Sequence, residues 1–188
     1  MGNLVKKAVY LCAGLLAVVS AFLGFSVLSA KALADNPVAN GTAATYNAVF
    51  EQNGAGKVTF FEFIGDFADK SSIEWKFTTI VAAVLLLVAV ICAGMMLIGA
   101  IIAFIKKDED VLNVMSIKWV AVTAFASCAL SLLIMLIFPD LPKVPEVLSS
   151  VIEIKGAIGI GAVLFLVATG LAAVYSFIHS FLFKDEKK

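Results

Sequence analysis

Phe77–Ile105 reads FTTIVAAVLLLVAVICAGMMLIGAIIAFI, 29 residues without one charged, Asn, Gln, His or Pro side chain. As a helix it would be about 43 Å long at about 1.5 Å per residue, against about 30 Å of bilayer hydrocarbon. A run this long and apolar is not kept in water by a domain of 188 residues, so it is read as a membrane span. The rest of the composition agrees. The chain is 62% hydrophobic and 15% charged, with 14 basic residues balanced by 14 acidic ones. This places it outside the range of soluble domains. There is no basic excess to attract nucleic acid. Every basic residue is Lys, and the absence of Arg, the usual bidentate phosphate ligand, lowers the expectation of nucleotide or nucleic-acid binding.

Upstream, Lys6 and Lys7 precede the apolar run Ala8–Ala30, AVYLCAGLLAVVSAFLGFSVLSA. Two readings compete. One is a signal peptide cut at Ala32-Leu33-Ala34, leaving a chain without residues 1–34. The other is a retained helix, favoured because the run exceeds the 7–15 residues of a signal core. Lys31–Lys76 is the one sizeable polar region, 46 residues long. Asn36-Pro37 and Asn40-Gly41 are turn signals there. TYNAVFEQ, NGAG and KVTFFEF read as strand, turn, strand. An interfacial helix is the alternative for the second half, with Phe60, Phe63, Ile64 and Phe67 on one side and Glu62, Asp66 and Asp69 on the other. Ser71-Ser72-Ile73-Glu74 has the form of a capping box that starts the next helix before its apolar stretch, and Trp75-Lys76 mark the interface.

Downstream, Trp119–Phe138 is a further apolar run, anchored by Lys118-Trp119. Pro139, Pro142 and Pro145 end it and stiffen the following connection. Gly156–Phe183 is the last run. The expected fold is therefore an all-α membrane protein, a four-transmembrane-helix bundle forming one domain over residues 1–188. Its spans lie at about 8–30, 72–105, 119–138 and 156–183, and its outer loops at 31–71 and 139–155. Eight lysines (Lys6, Lys7, Lys106, Lys107, Lys118, Lys184, Lys187, Lys188) fall in the segments that share a side with the termini, and six in the longer opposite loops. The excess places both termini in the cytoplasm, with the plasma membrane as the expected site. An offset of 77 residues aligns Leu87 with Leu164, Ile101 with Ile178 and Lys107-Asp108-Glu109 with Lys184-Asp185-Glu186. That is the pattern of a duplicated hairpin.

Chemistry is sparse. Cys12, Cys92 and Cys128 all sit inside apolar runs and without metal-ligand spacing, as small hydrophobes do. His179 is the single charged-type side chain in the runs. No nucleophile–base set, paired intramembrane carboxylates, phosphate loop or Cys/His cluster is present in the sequence, so no catalytic residue, cofactor or metal is assigned. What the runs do carry is small residues at helical spacing: Ala13, Ala17 and Ala21; Ala89 and Ala93; Gly99 and Ala103; Ala157 and Gly161. Such faces let membrane helices approach closely, within one chain or between copies.

The expected function is a non-enzymatic structural or assembly subunit of a membrane complex. It packs through those faces and contacts partners through Phe60, Phe61, Glu62, Phe63, Asp66 and Phe67. Its partners would be the lipid bilayer and a second copy or other membrane proteins, with no nucleic acid and no small-molecule substrate evident. An oligomeric pore is the alternative, in which several copies line a channel with helix faces and a ring of loop carboxylates such as Glu62, Asp66 and Asp69, with Thr78, Thr79, Ser127 and Ser131 as the candidate residues to wet it. A second alternative removes residues 1–34; the central helix pair with its short charged inner loop then resembles, in outline, the small two-helix pilins of conjugation systems. That resemblance implies a secretion or conjugation subunit.

Overall fold

The computed structural model describes residues 2–52, 58–59, 77–106, 112, 116–137 and 146–182. In chain order its elements are α1 (Gly2–Ser20), β1 (Gly24–Ala32), α2 (Pro37–Gln52), β2 (Val58–Thr59), α3 (Phe77–Ile105), α4 (Ile117–Ile137), β3 (Ile152–Ile158) and α5 (Ile160–Leu182). Three stretches, Ile80–Ile105, Ile117–Ile137 and Ile160–His179, are long and apolar enough to cross a membrane. These helices are compatible with an integral membrane protein.

The first apolar run is not one helix. α1 begins near the N-terminus, includes Lys6 and Lys7, and stops at Ser20, where the Oγ donates back to the Ala17 carbonyl at 2.7 Å. The turn tightens to three-residue bonds, with Leu23 N–H on the Ser20 carbonyl at 3.0 Å. Residues 24–32 are then extended. Length alone predicts a single span over 8–30. The alternation in GFSVLSAKA, with a partner strand to pair with, decides for a strand over its last third.

The expected strand TYNAVFEQ is likewise helical. Asn36 caps α2, its Oδ1 accepting the Ala39 N–H at 2.7 Å, and Pro37 fills the first helical position, where a missing N–H costs nothing. The dipeptide read as a turn is thus a helix start. Ala39 and Ala43, one turn apart, are buried. Of the expected second strand, Val58 and Thr59 pair with β1 as β2, so the predicted hairpin does not form. The capping box at 71–74 and the Phe-rich segment at 60–67 lie outside the described residues.

The last apolar run also starts later than expected. Gly156–Ile158 belong to β3, and α5 begins at Ile160. β3 pairs antiparallel with β1 from Ser26↔Ile158 to Ala32↔Ile152, giving a three-stranded sheet in the order β2-β1-β3. At the joint between β3 and α5, Gly159 donates its N–H to the Phe25 carbonyl at 2.8 Å, and a Cβ on it would lie 2.0 Å from the Gly24 oxygen. Only glycine fits that approach.

α1 packs on α3 and α5, and α4 packs on the same two helices. Neighbours run antiparallel. One cluster joins Ala17, Ala21, Leu86, Ala89, Ala93, Cys128, Leu132, Ala162, Phe165 and Ala168 at the sheet end. A second joins Tyr10, Ala13, Met96, Ala100, Ala103, Ile117, Ala121 and Ala172 at the opposite end. α2 lies against β1 and β3, closing a smaller core of Ala30, Ala43 and Ile152. The sheet and α2 thus form a cap at one end of the helices.

Candidate functional site

Helix contacts and the first outer loop are the two features that the sequence offers as functional, and the described part of that loop, α2 and β2, belongs to the cap. The contacts have a consistent chemistry. Buried positions are mostly Ala, with Gly and Ser, whereas Leu15, Leu16, Val19, Val84, Ile91, Ile98, Leu130, Leu133, Val167 and Leu171 are exposed. A soluble helical domain has the reverse arrangement, with its large apolar side chains inside. Small residues inside and large ones outside suit a lipid surround, where close backbone approach drives association.

Among the residues singled out from sequence, Ala13, Ala17, Ala21, Ala89, Ala93, Gly99, Ala103 and Gly161 are buried; Ala21 lies in the turn just after α1, Gly161 on α5, and the others on α1 or α3. Ala157 does not belong with them: it is exposed on β3, paired with Val27, because the helix it was assigned to begins three residues later. Phe60, Phe61, Glu62, Phe63, Asp66 and Phe67 lie outside the described residues.

Two close approaches are made at glycines, Gly161, which the small-residue spacing singles out, and Gly14, which it does not. A Cβ on Gly14 would lie 2.9 Å from the Leu97 Cα and N, so α1 crosses α3 with backbone nearly touching backbone at this point. On Gly161 it would lie 2.7 Å from the Ser20 oxygen and 2.8 Å from that of Leu23, fixing α5 against the end of α1. Gly94, by contrast, has nothing within 4 Å of the corresponding position.

Buried hydroxyls among the helices are each engaged. Ser131 Oγ crosses from α4 to the Ala82 carbonyl of α3 at 2.7 Å, and Thr169 Oγ1 bonds the Phe165 carbonyl at 2.8 Å. Ser176 Oγ donates to the Ala172 carbonyl at 2.6 Å. Its one proton being spent, it accepts from the Tyr10 hydroxyl, also at 2.6 Å, which ties α1 to α5. The Ser131 and Tyr10 bonds run between helices, the kind that holds membrane helices together at about 0.6–2 kcal/mol each, while the Thr169 and Ser176 bonds to carbonyls one turn back stay within α5.

Among the described residues, most of the lysines fall at the Tyr10 end. Lys6, Lys7, Lys106 and Lys118 all fall there, while Lys31 and Lys155 are on the cap. Lys118 Nζ stands 4.8 Å from the Phe177 ring centroid and 5.5 Å from that of Trp119, an amine over aromatic faces on the rim. His179, half-buried, packs against Tyr175 with centroids 5.8 Å apart.

In the cap, Asn47 does the work of a strand. Its Oδ1 accepts the Ala30 N–H at 2.7 Å and its Nδ2 donates to the Ala30 carbonyl at 3.1 Å. β2 covers this edge of β1 only as far as Ser26, and the Asn47 carboxamide satisfies the next outward peptide group but one. Sequence reasoning passed over Asn47, since nothing in TYNAVF marks an amide that will meet a strand edge.

A scan against protein-family models, a search of curated proteins and a search of solved structures each return no match to this chain.

Proposed function

We propose that the chain is a four-span integral membrane protein with a structural or assembly role. On this reading α1, α3, α4 and α5 cross the plasma membrane, both termini are cytoplasmic, and the cap of β1–β3 and α2 stands outside as the contact surface. The observation that carries it is the inverted packing. Large aliphatic side chains face outward along the helices, and the small and hydroxyl residues between them are spent on close contacts and backbone bonds. Such an interior is made to hold helices in place.

α1 is counted as the fourth span because it packs on two full-length apolar helices and shows Leu15, Leu16 and Val19 on its outward side. The lysines at its N-terminal end, with Lys106 and Lys118 alongside, support cytoplasmic termini. Against a pore, Ser131, one of the four candidate wetting residues, is bonded to the Ala82 carbonyl and fully buried.

The test is extraction of the full chain from its membrane in mild detergent, with cross-linking mass spectrometry, beside conductance measured in reconstituted bilayers. Recovery in a stoichiometric membrane complex, with no conductance, is the expected result. A conductance altered by charge reversal at Glu62 or Asp66 would overturn it in favour of the pore.

A further inference from the structure

In the β1–β3 ladder Val27, Ser29 and Lys31 stand opposite Ala157, Lys155 and Glu153. Just beyond its ends, Gly159 N–H donates to Phe25 and Leu33 N–H to Val151. This alternation fixes the hydrogen-bonding phase. Odd-numbered residues of β3 turn their peptide groups toward β1, and Ile152, Ile154, Gly156 and Ile158 turn theirs toward the opposite edge. Among the described residues no strand pairs with that edge. An open edge of this length is a template for another strand.

The side chains along it are arranged by charge. Ile152 and Ile154 are buried on the face that α2 covers, whereas Glu153 and Lys155 stand on the exposed face, their carboxylate and amine 3.1 Å apart. We propose that the β3 edges of two copies of this chain pair antiparallel about a two-fold axis at Ile154, joining the two caps in one continuous sheet. In that register Ile154 meets its own equivalent and Ile152 meets Gly156, both in hydrogen-bonded positions. Glu153 of each copy then faces Lys155 of the other, in the closer non-hydrogen-bonded position.

The neighbouring registers in the same phase are centred on residue 153 or on residue 155, and they set Glu153 against Glu153 or Lys155 against Lys155. The register at Ile154 is the one of the three that opposes unlike charges. Lys31, which stands beside Glu153 on the other side, extends the row as lysine, glutamate, lysine across the joint. The proposal deepens the reading of the cap as a contact surface by naming a second copy as its occupant.

Antiparallel pairing sends the two α5 helices away from opposite ends of the joint sheet. The test is therefore run on the full chain in mild detergent, where no bilayer constrains the relative orientation. Mass is read by light scattering, and mixed dimers by co-purification of two differently tagged copies. The wild-type chain is expected to be dimeric, and Lys155→Glu and Glu153→Lys are each expected to weaken association by about tenfold or more. The double exchange Glu153→Lys/Lys155→Glu recovers it. Copies carrying Glu153→Lys, mixed with copies carrying Lys155→Glu, form a mixed dimer that neither forms alone. A monomeric wild type, a dimer indifferent to both reversals, or a double exchange that fails to recover association overturns the proposal. Helix content by circular dichroism accompanies each variant. One that loses it is replaced by Glu153→Gln or Lys155→Gln, which remove the attraction without reversing it and are held to the same outcomes.

Discussion

At the scale of single residues, glycine positions separate packing from composition. Gly14 and Gly161 have backbone atoms of another segment within 3.0 Å of where a Cβ would stand, and backbone atoms cannot swing aside as a side-chain tip can. Gly14→Ala and Gly161→Ala are each expected to cost about 1–3 kcal/mol, the usual penalty for overpacking. Gly94→Ala meets open space in the middle of α3 and is expected to be neutral or to gain about 0.5–1 kcal/mol from its better helix propensity. Thermal denaturation of the three variants in one detergent checks the order. If Gly94→Ala were as damaging as the other two, the assignment of α1 crossing closest at Gly14 would be wrong. These glycines also show what a sequence withholds. The Ala13, Ala17 and Ala21 stripe is visible as spacing, but the need for glycine at 14 exists only once Leu97 arrives from a helix more than 80 positions away.

At the scale of elements, apolarity located the helices and did not bound them all. α3 occupies the very residues of its apolar run, since nothing in that run offers the backbone another partner. α4 begins two residues before the expected Trp119 and ends one before Phe138. The first and last runs failed for a common reason. Helix and strand can be equally apolar, and the change of period at Gly24 and before Ile160 is brief, so only the pairing of β1 with β3 reveals it. α2 was hidden differently, by β-branched and aromatic residues whose preference is overridden by the Asn36 cap, Pro37 and the two buried alanines. The outcome bears on the alternative cut after Ala34. Losing residues 1–34 would remove the middle strand of the sheet and the helix that packs between α3 and α5. We therefore expect N-terminal sequencing of the membrane-extracted protein to find residues before Asp35 still attached. A start at Asp35 would sink that expectation and revive the pilin-like reading.

At the scale of the whole molecule, the helix directions set the lysine-rich end and the cap at opposite ends of the helices. Because neighbouring helices are antiparallel, Lys6, Lys7, Lys106 and Lys118 share one end, and the cap is at the other. On the proposed four-span reading the basic end is held on the cytoplasmic side during insertion, and Val147, 85% exposed beside β3, is then expected outside. A cysteine at Val147 should then react with a membrane-impermeant maleimide on intact cells, and one at Lys106 only after the membrane is opened. Cys128 is buried and Cys12 and Cys92 lie within helices, so the unsubstituted chain supplies the background. Labelling of both positions on intact cells would mean that α3 does not cross, for Lys106 closes that helix and the cap precedes it. Labelling of Lys106→Cys alone would invert the protein. The lysine excess would then have failed as a guide, and the contact surface formed by β3 would face the cytoplasm, with the partner proposed for it unchanged.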